Sequence, residues 1–216
     1  LVIFGENEAE YGNAIEDNEK PTRDPKYYSA ELSMQDLVLG GVPAKDLIDD
    51  FGFKLSDLEA YFPVSPYKVE KTGTEVHYLG YYIKWHPQDV YYYSVENSNF
   101  MPNDHRTEGS FSKYSSLDDK IDWLHYHTTT IKFGIGRATY DSAQEVRNGD
   151  ITREEGIALI KRFDGEFPEK YILDCCNYMD ITMQQYYDTI EKFRSPHLWN
   201  KINGNWVLRK PIWSSK

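Results

Sequence analysis

The sequence predicts an α/β chain in two parts, with residues 1–98 ending a parallel sheet and residues 99–216 forming a mostly α-helical region. Three observations carry this. Leu1 to Phe4 is a short apolar run closed by Gly5-Glu6-Asn7, as at the carboxyl end of a buried parallel strand. Val76 to Trp85 is a second strand candidate, rich in aromatic residues. From Ser116 onward, Leu117, Ile121, Leu124, Thr128 and Ile131 recur at spacings of three and four, one face of a helix.

The other elements follow in order. Ser29 to Leu39 reads as a helix stopped by Gly40-Gly41. Pro43 to Asp50 and Ser56 to Phe62 read as short helices, the first opened by proline, the second by a Ser56/Glu59 capping box. Pro87 to Asn97 opens a helix after His86. Residues 99–115 lack periodicity and form a long loop. Ser116 with Asp119 reads as the N-terminal cap of the next helix, which Phe133-Gly134-Ile135-Gly136-Arg137 interrupts. Residues 138–148 resume a helix up to Gly149. Thr152/Glu155 and Thr182/Gln185 are capping boxes, each preceded by isoleucine. They open helices whose apolar positions include Ile157, Ile160 and Phe163 in the first, while the second runs to Phe193. Pro168 to Tyr178 is helical, and Asn203-Gly204 turns a small hairpin.

Composition narrows the partners. Among 216 residues, 24 Lys and Arg oppose 35 Asp and Glu, a net charge of −11, which disfavours non-specific association with polyanionic nucleic acid or membrane surfaces. With 40% apolar and 15% aromatic residues the chain can build a core. Cys175 and Cys176 are adjacent and read as free thiols of a reducing compartment. No apolar run reaches membrane-spanning length and no signal peptide is read, so the expected location is cytoplasmic. Because the chain opens inside an apolar strand without Met, it is expected to be part of a longer protein.

Several groups can carry chemistry. Gly5, Glu6, Asn7 and Glu10 sit at a strand end, where a glycine turn lets backbone approach phosphate and carboxylates can hold Mg²⁺. A solvated βα turn accounts for them as well. Lys132 and Arg137 flank Gly134-Ile135-Gly136, an arrangement that allows N–H groups and cations to converge on an anion, or that is simply a helix break. His125 and His127 fall on opposite helix faces, so a shared metal is rejected in favour of a single histidine in an aromatic core. His86 and His105 are of the right type for acid–base work, although their spacing does not demand it. The loop from Asp104 to Tyr114 is dense in polar groups, as binding loops and solvated connections both are.

Certain segments together resemble a known family: Gly5-Glu6-Asn7-x-Ala9-Glu10-Tyr11-Gly12, Leu79 to Gln88 (Leu-Gly-Tyr-Tyr-Ile-Lys-Trp-His-Pro-Gln), Arg106-Thr107-Glu108-Gly109, Asp118 to Asp122, Ile131 to Thr139, Arg153 to Gly156 and the Asp-Gly-Glu-x-Pro run within Phe163 to Pro168. In this order they resemble the C-terminal part of the N-acetyl sugar amidotransferases of bacterial surface-polysaccharide (lipopolysaccharide, O-antigen) biosynthesis, in the PP-loop ATP-pyrophosphatase group. The resemblance implies that residues 1–98 hold the last strands of a HUP-like (PP-loop) nucleotide-binding sheet and that residues 99–216 form a substrate or partner region. It implies ATP and Mg²⁺ as cofactors, a nucleotide-linked N-acetyl sugar as substrate, and ammonia delivered by glutaminase and barrel-type subunits. The implied reaction activates an acetamido oxygen by adenylation, and ammonia then displaces AMP to give an acetamidino group. Lys132 and Arg137 would stabilise negative charge. Gly5, Glu6, Asn7 and Glu10 would line the nucleotide end, and Arg106, Lys113 and Tyr114 would contact the substrate. The family's pyrophosphate signature, Ser-Gly-Gly-x-Asp-Ser, is missing from this sequence, which leaves adenylation to the longer parent. The alternative function is a non-catalytic sugar-binding or subunit-docking module.

Overall fold

The computed structural model describes residues 1–6, 16 and 19–214. These form two compact units, Leu1–Trp85 and His86–Lys216.

In the first unit, strand β1 (Val2–Phe4) pairs in parallel with β4 (Val76–Tyr78), Val2 facing Val76 and Phe4 facing Tyr78. Between them lie a two-residue hairpin, β2 (Val38–Leu39) with β3 (Val42–Pro43), and three short helices, α1 (Ala44–Asp49), α2 (Leu55–Leu58) and α3 (Pro66–Thr72). A small core of Leu37, Ala44 and Leu58 is covered by Leu39, Leu47, Ile48 and Phe62. Among the described residues β1–β4 is the one parallel pair, so the expected terminal strands of a HUP-like sheet are not seen as a sheet.

Three local expectations for this unit are corrected. Ser29 to Leu39 is not a helix. Its consecutive apolar residues Val38 and Leu39 pair across the Gly40-Gly41 turn, and the Ser33 hydroxyl donates to Asp36 at 2.6 Å, a local side-chain bond that competes with helix. The strand at Val76 stops at Tyr78 because its partner β1 ends at Phe4; Leu79–Tyr81 turns as a 3₁₀ helix instead. Helix α2 is capped by Asp57, which accepts from the Lys54 N–H at 2.9 Å, and not by Ser56/Glu59.

The second unit is helical: α4 (Pro87–Asn97), α5 (Ile121–Phe133), α6 (Arg137–Asn148), α7 (Arg153–Phe163), α8 (Ile172–Tyr178) and α9 (Met183–Lys192). Among the described residues no helix is long and apolar enough to cross a membrane. The helix-rich second half and its two capping boxes are as expected: Thr152 accepts from Glu155 N–H at 3.2 Å and Thr182 from Gln185 N–H at 3.2 Å. So is the hairpin of β5 (Trp199–Ile202) and β6 (Asn205–Leu208), whose turn residues Asn203 and Gly204 both have positive φ, 50° and 83°. Helix α5 begins at Ile121, not Ser116. Ser116 adopts φ 55° and bonds Asp122 (2.8 Å) and Tyr126 (2.6 Å), while Asp119 accepts from Ile121 N–H at 2.7 Å. Helix α8 starts at Ile172, four residues after the expected Pro168. The core joins Leu124, Ile131, Ile172, Cys175, Cys176, Tyr186 and Ile190. Both cysteines are buried free thiols, and burial pushes the Cys175 thiol up.

Candidate functional site

The site grows out of the loop before α5, which is held by one turn, Asp164-Gly165-Glu166. Glu166 grips Arg106 through two parallel bonds, Nη1 to Oε2 at 2.6 Å and Nη2 to Oε1 at 2.5 Å, and also accepts from Gly109 N–H at 2.8 Å. Bidentate, charge-assisted pairs of this kind fix geometry as well as energy. Despite the desolvation that opposes it, the Arg106 guanidinium and these bonds hold the Glu166 carboxyl below its usual range; the same pairing raises Arg106. Arg106 also donates to the Ser110 carbonyl at 3.1 Å and lies 4.5 Å from the Phe163 ring centroid. Inside the loop the Thr107 hydroxyl donates to the Ser115 carbonyl at 2.7 Å, and the Ser110 hydroxyl bonds Asp141.

Asp164 does comparable work at the N-terminus of α6. Its carboxylate accepts from Gly136 N–H at 2.9 Å, Thr139 N–H at 3.1 Å and the Thr139 hydroxyl. Burial raises its pKa even so. The Gly134-Ile135-Gly136 turn therefore does receive an anion, and the anion is the protein's own carboxylate. A Cβ on Gly136 would sit 2.3 Å from the Thr130 hydroxyl, so glycine is required by the closeness of this approach.

The loop so held walls a cleft of about 580 Å³, lined by Asp104, His105, Arg106, Glu108, Lys113, Trp123 and Lys170. Three cations surround it, Arg106, Lys113 and Lys170. The Lys170 ammonium rests 4.9 Å from the Trp123 ring, and the Glu108 carboxylate accepts from Lys170 N–H at 3.2 Å. Burial raises the Glu108 pKa. The cleft combines cationic donors with an aromatic wall, the chemistry that holds a phosphate or carboxylate next to an apolar ring face.

The expected site residues are distributed unevenly. Arg106 and Lys113 share the cleft. Tyr114 instead stacks on Tyr91 at 4.6 Å, and burial with Glu145 and Asp141 nearby pushes its phenol up to about 12. Arg137 is held by Asp141 at 2.8 Å and lies over Tyr126. Lys132 is exposed over Phe133, beside a groove that Phe193 also lines. Gly5 and Glu6 follow β1; Asn7 and Glu10 lie outside the described residues. His127 occupies the expected aromatic surroundings, its ring 5.3 Å from Phe167 and its Nδ1 3.2 Å from the Glu166 carbonyl oxygen; burial lowers its pKa. His86 caps α4 by accepting from Asp89 N–H at 3.3 Å and faces Asp150 at 3.3 Å, while Gln88 donates to buried Glu145 at 3.2 Å.

Sequence reasoning missed Lys170 and Trp123 as cleft residues, and gave Asp164 and Glu166 no role. The Asp-Gly-Glu-x-Pro run was the available signal: two carboxylates around a glycine, placed just after a helix, are well suited to reach neighbouring backbone donors.

These features define a helical domain, tied together by partly buried carboxylates, that presents a cation-rich aromatic cleft. Residues 108–212 match the model of the C-terminal domain of the WbpG-like LPS biosynthesis proteins. No curated protein matches the chain.

Proposed function

We propose that the chain is the C-terminal portion of a cytoplasmic, ATP-dependent N-acetyl sugar amidotransferase of lipopolysaccharide biosynthesis. In this reading the cleft receives the diphosphate of a nucleotide-linked N-acetyl sugar. The observation that carries it is the convergence of Arg106, Lys113 and Lys170 around Trp123, largely inside the WbpG-like segment. Arg106 is immobilised by Glu166, so it forms a fixed positive wall without first losing side-chain freedom. The two lysines supply mobile point charges, and Trp123 an apolar face.

ATP, Mg²⁺ and the glutaminase and barrel-type subunits belong to the proposal through the resemblance, as does the assignment of β1 and β4 to a HUP-like sheet. The described residues do not themselves fit ATP with Mg²⁺. None of their His, Cys, Asp and Glu side chains gather in threes as metal ligands, and the pyrophosphate signature is missing from the sequence. The share of the reaction assigned to this chain is therefore to hold and orient the sugar substrate.

Titration calorimetry with UDP-N-acetylglucosamine as probe tests the reading. Binding is expected to weaken about three- to tenfold in Lys113→Ala and again in Lys170→Ala, and to fall with added salt. Absence of binding, or equal affinity in the double variant, overturns the cleft assignment. Release of AMP by this chain alone from ATP, ammonia and the sugar nucleotide would overturn the division of labour.

A further inference from the structure

A second cavity, of about 640 Å³, lies where the β5–β6 hairpin and the segment after it meet α5 and α7. Trp199, Trp206 and Trp213 line it, with His127, Thr139, Asp164, Arg194 and Lys210 as its polar and charged members. Arg194 is the unusual one. Its guanidinium carbon is 4.7 Å from the Trp199 ring and 5.5 Å from that of Trp206, and its side chain is only 13% exposed. Glu191 forms an ion pair with it, its Oε1 3.6 Å from Nε, but at that distance makes no hydrogen bond, and Nε is buried without a hydrogen-bond partner. Glu191 is engaged elsewhere: both its oxygens accept from Trp206 Nε1 at 2.8 Å, and Lys201 lies 3.5 Å away.

The ion pair with Glu191 balances its charge, but a guanidinium carries five N–H donors, and an oxyanion in the cavity would complete its hydrogen bonding. The carboxylate that lines the cavity, Asp164, does not do so, since it is taken up by Gly136 and Thr139. His127 is turned to the Glu166 carbonyl, and burial favours its neutral form. The ring faces of the tryptophans supply the apolar part of a site.

We propose that this cavity binds a ring-bearing organic oxyanion, with Arg194 holding the anionic group, Lys210 assisting at the rim, and Trp206 and Trp213 contacting the ring. Carboxylate and phosphate share this chemistry. The proposal stands apart from the amidotransferase reading, because its tryptophans differ from Trp123 of the cleft.

The experiment follows the tryptophan indole NMR signals of the full chain during titration with phenyl phosphate, benzoate, inorganic phosphate and benzyl alcohol. Phenyl phosphate, benzoate or both should shift Trp206 and Trp213 saturably, and whichever binds more tightly names the preferred anion. Inorganic phosphate and benzyl alcohol should each bind about tenfold or more weaker, because each lacks one half of the recognition. Arg194→Gln should abolish the shifts, and Lys210→Gln should weaken binding about threefold. Lys210 is exposed, so the latter variant reports even if Arg194→Gln fails to fold. The proposal is overturned if neither ring-bearing anion shifts these signals, or if inorganic phosphate binds as tightly as phenyl phosphate. It also fails if Trp123 responds in place of Trp206 and Trp213, or if Lys210→Gln and Arg194→Gln bind with unchanged affinity.

Discussion

The two units are stabilised in different ways. Among its described residues the first has a core cluster of Leu37, Ala44 and Leu58, with Val69, Val76 and Tyr78 buried apart from it, and leaves Phe51, Tyr61 and Tyr67 about two-thirds exposed, at 65%, 64% and 66%. The second has a core cluster of seven buried residues and ties distant stretches with a bidentate ion pair, Arg106 to Glu166, 60 residues apart, where the first has the Arg23–Tyr78 hydrogen bond, 55 residues apart. The difference teaches how an irregular loop can be made rigid. Residues 99–120 have no helix or strand, yet Thr107 and Ser110 are fully buried because side chains of Asp141 and Glu166 and the Ser115 carbonyl satisfy the loop's polar groups. A cleft built on such a loop keeps its Arg106 guanidinium in place before any ligand arrives.

The contrast can be broken most sharply at Asp164. Asp164→Ala removes the acceptor of Gly136 and Thr139 at a buried helix start and is expected to destabilise the second unit by about 3 kcal/mol, measured by urea unfolding monitored by circular dichroism. Ile131→Ala, at a side chain 2% exposed within the larger core, should cost a similar amount, about 3 kcal/mol, whereas Leu58→Ala in the smaller core should cost nearer 2 kcal/mol. Equal costs would remove the distinction between the cores. Glu166→Gln should cost about 1–2 kcal/mol, because the pair with Arg106 is partly solvated. It should also raise protease cleavage within residues 104–115.

The smallest effect is the pH dependence. Glu166 has a lowered folded pKa, so its stabilisation is present above its ordinary value and is lost as pH falls through the folded value. Asp164 has a raised folded pKa, so its contribution is full below its ordinary value and declines as pH rises through the folded value. Unfolding free energies of the wild type, Glu166→Gln and Asp164→Asn from about pH 3 to pH 8 should show the acid-side loss missing from the first variant and the decline on raising pH missing from the second. A common pH profile for all three proteins would show that neither carboxylate titrates as its surroundings dictate.

Legibility followed distance along the chain. The caps at Thr152 and Thr182 and the Asn203-Gly204 turn were readable because donor and acceptor lie within three residues of each other. The start of α5 was misread because the apolar repeat runs on to Leu117, while Ser116 finds Asp122 and Tyr126 as partners and leaves the helical path. Arg106 and Lys113 were expected as substrate contacts through the family resemblance, with residue type and loop position leaving a solvated connection open; Trp123 resembled any core tryptophan, and Lys170 any surface lysine.

The sequence alone determined the local elements of the helical half, the placement of its breaks at glycines, and the likeness of residues 108–212 to the WbpG-like C-terminal domain. Only the tertiary structure decided that the anion at the Gly136 turn is Asp164, 28 residues away, and that Arg106 is clamped rather than free. The reason is physical. A backbone conformation is chosen largely by its near neighbours, whereas a charged group pairs with whatever opposite charge packing brings within about 3 Å, and that proximity has no trace in local spacing.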